Sequence, residues 1–137
     1  MEILLNKCYG GYGLSDEAVR LYLTKKNIPI VSNLAHDSKY FKYYIVGDNE
    51  QFSDYNIPRT DPVIIQVVRE LGKKANGRNA ELVITSIPDG CEYYIDEYDG
   101  IESIETWFEL TEQDLLDGIS PERLIQLKSA HSIRIAN

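Results

Sequence analysis

The chain has 137 residues, 43% hydrophobic and 26% charged, which reads as one ordinary soluble globular domain able to bury a sizeable core. Its 14 Lys and Arg against 22 Asp and Glu leave a net charge of −8, which disfavours binding a polyanion such as duplex nucleic acid. No apolar run reaches membrane-spanning length, so neither membrane insertion nor a secretory leader is expected.

The charge is unevenly placed. Residues 1–78 hold 11 basic and 9 acidic side chains, whereas residues 79–137 hold 3 and 13. From Asn79 through Glu122 there is no Lys or Arg. Ten tyrosines against three phenylalanines are a second bias, suited to interfaces and to base stacking. Cys8 and Cys91 are expected as free thiols, and two Cys with two His lack the spacing of a zinc site.

In chain order, Glu2 to Asn6 is a first strand. Lys7-Cys8-Tyr9-Gly10-Gly11-Tyr12-Gly13-Leu14-Ser15 then turns sharply into a helix, with Ser15 as N-cap and Asp16 and Glu17 in the first turn. Ala18, Val19, Tyr22 and Leu23 form its apolar stripe, and Lys25, Lys26, Asn27 and Pro29 end it. Ile28 to Val31 reads as a short strand, Asn33 to Lys39 as a polar loop, and Tyr40 to Val46 as an aromatic strand. Gly47 to Pro58 is rich in turn formers and reads as a long functional loop. Asp61 caps a second helix whose first residue is Pro62. Val63, Ile64, Val67, Val68 and Leu71 line its core face, and Asn76-Gly77 closes it.

Glu81 to Ile87 is apolar enough for a central strand. Glu92 to Tyr98 and Ile101 to Trp107 form a hairpin around Asp99-Gly100. Thr111 and Asp114 make a capping box for a short helix ending at Gly118, and Ser120-Pro121-Glu122 starts another. Ser132 to Asn137 is unassigned. The sum is an α+β fold: a mostly antiparallel sheet of four to six strands, two main helices, and a short helical C-terminal appendage. The β-α-β opening allows one parallel pair. Residues 1–107 are the expected core domain, and 108–137 the appendage, a segment suited to docking on another subunit.

Three blocks occur together: Asn6-Lys7-Cys8-Tyr9-Gly10-Gly11-Tyr12-Gly13-Leu14-Ser15, then Arg59-Thr60-Asp61-Pro62 with Val67-Val68, Leu71-Gly72 and Ala75-Asn76-Gly77, then Ile87-Pro88-Asp89-Gly90 with Tyr98-Asp99-Gly100. Over residues 2–107 the chain resembles a family of small proteins encoded by tailed bacteriophages and prophages. The resemblance implies a phage gene product acting in the host bacterial cytoplasm, and supplies no chemistry. In size and compactness the chain is also similar to phage sponges that capture nucleotide immune signals, an analogy of form alone.

The residues that fit such capture are Lys7, Tyr9, Gly10, Gly11, Tyr12, Ser15, Arg59 and Arg78. A helix start carries unpaired N–H groups and partial positive charge, and an arginine before a second helix start can fork onto a phosphate. Tyr9 and Tyr12 can sandwich an adenine ring. Each has a plainer reading: Arg59 pairs with a carboxylate, Asp61 is only a cap, Lys7 and Arg78 are solvated, and the tyrosines pack. Cys8 lacks a neighbouring base for nucleophilic catalysis, since His36 and His131 are far along the chain. Asp96, Glu97 and Asp99 lack calcium-loop spacing, and no Gly-Lys-Ser/Thr follows the glycines. No catalytic residue, metal or cofactor is therefore expected. The leading expectation is a homo-oligomeric phage anti-defence protein that sequesters a cyclic oligonucleotide or cyclic ADP-ribose signal without cleaving it. The alternative is an acidic interaction protein that docks on and inhibits a host defence protein, with residues 79–122 steering the encounter.

Overall fold

The computed structural model describes residues 1–32, 44–128 and 133–135. Its two main helices begin where capping chemistry places them. Ser15 lies in extended backbone and its side chain accepts from Ala18 N, opening α1 (Asp16–Lys25). Asp61 accepts from Val63 N, and Pro62 takes the first position of α2 (Pro62–Leu71), where a missing N–H costs nothing. The end of α2 differs from expectation. It closes at Gly72 (φ 57°), whose N–H returns to Val68 O, and Gly72–Ala75 continues as a 3-10 turn. The first glycine able to take a left-handed φ ends the helix before Asn76-Gly77 is reached.

The fold is α+β, with eight strands among the described residues arranged as three small sheets rather than one. β1 (Glu2–Asn6) pairs antiparallel with β5 (Leu82–Ser86), Leu4 opposite Ile84. β2 (Ile30–Ser32), β3 (Tyr44–Val46) and β4 (Glu50–Phe52) form an antiparallel meander. The expected long loop from Gly47 is thus partly strand. Gly47 and Asn49 both take positive φ, and the tight turn they make returns Glu50–Phe52 along β3. Of the strand expected over 40–46 only Tyr44–Val46 falls among the described residues, and the loop expected over 33–39 lies outside them. β5 is not central: among the described residues it pairs with β1 alone, and Val83 is exposed.

The third sheet joins β6 (Glu92–Tyr98), β7 (Ile101–Leu110) and β8 (Ile133–Ile135) in the order β6-β7-β8. Asp99 (φ 52°) and Gly100 (φ 92°) make the two-residue hairpin turn, as their dipeptide predicts. β8 runs parallel to the end of β7, Glu109 opposite Arg134, so the parallel pair sits here and not in the β-α-β opening.

Strand alternation makes β1 a wall between two cores. Leu4 packs with Ala18, Leu23, Ile64 and Val67 on the helix side. Ile3, pointing the other way, packs with Ile87, Cys91, Phe108 and Leu127. Burying each large aliphatic side chain there stabilises the fold by roughly 1.5–3 kcal/mol. This second core corrects the boundary expected at residue 107. β7 continues through it to Leu110, and Leu127 of α4 (Pro121–Lys128) is buried beside β1. Phe108 and Leu127 of the C-terminal segment are therefore part of this core, with Leu110 and Ile119 packed against it. Between β7 and α4, α3 (Glu112–Asp117) has the expected Thr111–Asp114 capping box. Leu115, Leu116 and Ile125 of these two helices remain exposed.

Candidate functional site

The glycine loop, the residue before the second helix and the hairpin meet at one buried polar cluster. Asn6 ends β1 fully buried; its side-chain amide donates to Cys8 O and Gly100 O, and its Oδ1 accepts from Glu81 N. Its backbone N–H donates to Glu102 Oε1 at 2.8 Å. Glu102, 6% exposed on β7, receives Arg59 in a two-pronged pair, Nη1 to Oε1 at 2.8 Å and Nη2 to Oε2 at 2.9 Å. The Arg59 guanidinium also donates to Leu4 O and lies 3.3 Å from the Tyr12 ring centroid. Burial works against its charge, but the Glu102 hydrogen bonds hold the guanidinium pKa above its ordinary value. Tyr12 Oη is buried without a hydrogen-bond partner among the described residues, and that burial raises the phenol well above its usual range.

The glycines are close-packed against the protein's own backbone. A Cβ on Gly10 would stand 2.7 Å from Asn79 O, and one on Gly77 would stand 2.7 Å from Gly13 C. Gly77 N donates to Gly13 O, and Leu14 N donates to Asp54 Oδ2 at 3.0 Å. The loop thus takes its sharp path to let the segments around Gly77 and Gly100 approach. Tyr9 stands outside, 65% exposed, and Gly11 has no neighbour among the described residues within 4 Å of where its Cβ would be.

Both helix starts already hold their partners. Ser15 caps Ala18 N, donates to Lys74 O at 2.6 Å, and is followed by acidic Asp16 and Glu17. At the start of α2 the anion is Asp61 itself, 8% exposed. It accepts from Val63 N and Tyr22 Oη, with Lys26 Nζ at 3.3 Å. Burial pushes the Asp61 carboxyl up, but the hydrogen bonds from Tyr22, Val63 and Lys26 outweigh it, and its pKa lies below the ordinary aspartate value. A group with a depressed folded pKa stabilises fully above its unfolded pKa of about 4 and loses that contribution as pH falls through the folded value. Asp61→Asn is accordingly expected to flatten the fall in unfolding free energy below about pH 4. Urea titrations of both proteins between pH 2 and 7 check it, and parallel curves would refute the assignment.

Of the residues expected to bind a nucleotide, the structure joins Tyr12 to Arg59 and engages both internally. Lys7 Nζ donates to Glu102 O at 2.7 Å, and Arg78 is exposed. The anticipated pocket between two open helix starts is not what these residues build: a ligand phosphate at α2 would have to displace a buried carboxylate, and one at α1 would meet two acids. Cys8 is half-buried and its thiol donates to Tyr9 O, while burial pushes the Cys91 thiol up. A depression of about 520 Å³ lies elsewhere, along the end of α1, lined by Leu23, Thr24 and Asn27 to Ile30. No helix among the described residues is long and apolar enough to cross a membrane.

No family model, curated protein or solved structure matches this chain.

Away from the buried cluster, the hairpin carries the most exposed chemistry. The register sets Glu92 opposite Trp107, Tyr94 opposite Glu105, Asp96 opposite Ser103 and Tyr98 opposite Ile101. These pairs share one face, because side chains alternate along each strand. Tyr94 is 58% and Tyr98 79% exposed, and Glu92, Asp96 and Glu105 are exposed as well. Arg134 of β8 lies 4.0 Å from the Trp107 ring centroid. The opposite face holds Ile95, Ile104 and Phe108 against the second core. The sequence reading missed Glu102 and Asn6. Parity from the Asp99-Gly100 turn puts Glu102 on the same face as Ile104 and Phe108, a signal that marks it as buried.

Proposed function

We propose that this protein acts by docking the exposed face of the β6–β7–β8 sheet on a basic surface of another protein. The phage resemblance suggests a host defence protein, obstructed by the contact. The observation that carries this reading is the pattern of carboxylates and aromatic rings on one face: Glu92, Asp96 and Glu105 interleaved with Tyr94, Tyr98 and Trp107. Tyrosine and tryptophan bring large contact area at low entropic cost, and a field of one sign steers a partner of the other. Nucleotide capture drew on open helix starts and a free Arg59. With Ser15, Asp61 and Arg59 engaged within the chain, docking is the better supported reading.

The test is a triple substitution, Glu92→Lys, Asp96→Lys and Glu105→Lys, at exposed positions where the fold is expected to change by less than about 0.5 kcal/mol per site. The native protein is expected to capture a basic bacterial protein that cross-links to the hairpin. The variant should lose at least about tenfold of that capture, as should the native protein at 500 mM salt. Differential scanning fluorimetry with cyclic oligonucleotides and cyclic ADP-ribose isomers is expected to show no stabilisation. A nucleotide that raises Tm by more than about 3 °C would favour sequestration over docking.

A further inference from the structure

We infer that the outer edge of β6 accepts an extended, basic segment of the partner as an added strand. This rests on the docking reading above and specifies its geometry. Among the described residues β6 is the terminal strand of its sheet, and six of its seven residues are exposed. A two-residue hairpin turn makes Tyr98 and Ile101 a pair that exchanges both backbone hydrogen bonds. Alternation then assigns Glu92, Tyr94 and Asp96 to the ladder with β7 and turns the backbone groups of Tyr93, Ile95 and Glu97 toward the open edge. The Glu97 N–H fits this assignment, since it is held at 3.1 Å by the neighbouring Asp96 Oδ1. At Tyr93 and Ile95 the edge offers main-chain donors and acceptors at strand spacing.

Exposed strand edges invite pairing, and proteins usually blunt them with proline, bulges or lysine. β6 has no proline, its register with β7 is unbroken over all seven residues, and its charges are Glu92, Asp96 and Glu97. These charges choose the occupant. A second copy of β6 would bring two sets of the same three carboxylates into one ladder, which opposes self-pairing. A segment alternating Lys or Arg with β-branched residues would lay its cations beside Glu92 and Asp96 on the outer face and its apolar side chains beside Ile95 on the other. The occupant that fits is a basic β-strand of another protein.

The experiment uses the full chain labelled with ¹⁵N and two seven-residue probes: a capped peptide alternating lysine with valine, and the same peptide N-methylated at every second amide. With the first, amide exchange at Tyr93 and Ile95 is expected to slow by at least about tenfold, with Tyr94 and Asp96, already in the ladder, little changed. The N-methylated probe should lose that protection. If both peptides shift Glu92, Tyr94 and Asp96 in a salt-sensitive way without protecting Tyr93 and Ile95, strand addition is wrong while acidic docking survives. If neither binds, both fall. If Tyr93 and Ile95 are protected in the free protein with a concentration dependence, the edge belongs to a second copy and the inference is overturned.

Discussion

Glu102→Ala is expected to lower the unfolding free energy by about 3 kcal/mol, the lower end of what removing one partner of a buried ion pair costs. The loss is large because three donors lose their acceptor together: both Arg59 Nη groups and the Asn6 N–H. It falls at the lower end because the Arg59 side chain is 22% exposed, so water partly re-solvates the orphaned guanidinium. The same pair replaced as a unit, Arg59→Met with Glu102→Leu, is expected to cost far less than the two single changes added together, since no buried charge is stranded. Urea unfolding of the four proteins, with m unchanged, closes the cycle. A single-mutant loss below about 1 kcal/mol would mean that the cluster does not clamp the hairpin to β1.

Gly100→Ala is expected to be comparably severe, for a steric reason. A Cβ there would lie 2.5 Å from Gly10 N and 2.7 Å from Gly11 N, and the backbone sits at φ +92°. Forced overpacking costs about 1–3 kcal/mol, and the unfavourable φ adds about as much again. Gly11→Ala is the control. Its φ is +130° with no described residue within 4 Å of the added methyl, so it should carry only the backbone part. Equal losses at the two positions would show that the close approach of hairpin turn and glycine loop contributes nothing. A larger loss at Gly100 identifies the glycines as a packing device.

These two expectations explain why the loop was the most misleading part of the chain. Three glycines ahead of a helix suit phosphate binding and suit close packing of backbone on backbone, and the local pattern is the same in both cases. The decision lies with Gly77, Asn79 and Gly100, which are 66, 68 and 89 residues beyond Gly11. Arg59 posed the same ambiguity: whether it met a phosphate or a carboxylate depended on Glu102, 43 residues away. Asp61 was legible because its partner is local, an N–H two residues on. The Asp99-Gly100 turn was legible for the same reason.

What the amino-acid order determined by itself was whatever is settled within a few residues. That covers both main helix starts, the hairpin turn, the capping box at Thr111 and the α+β class, because caps and turns are closed by neighbouring backbone groups. Tertiary structure alone decided that the strands divide into three sheets and that β1 separates two cores. It also joined the C-terminal segment to the second core, and seated a buried arginine–glutamate pair under the glycine loop. Those outcomes rest on which distant side chains exclude water together, and burial is shared among elements rather than carried by any one of them.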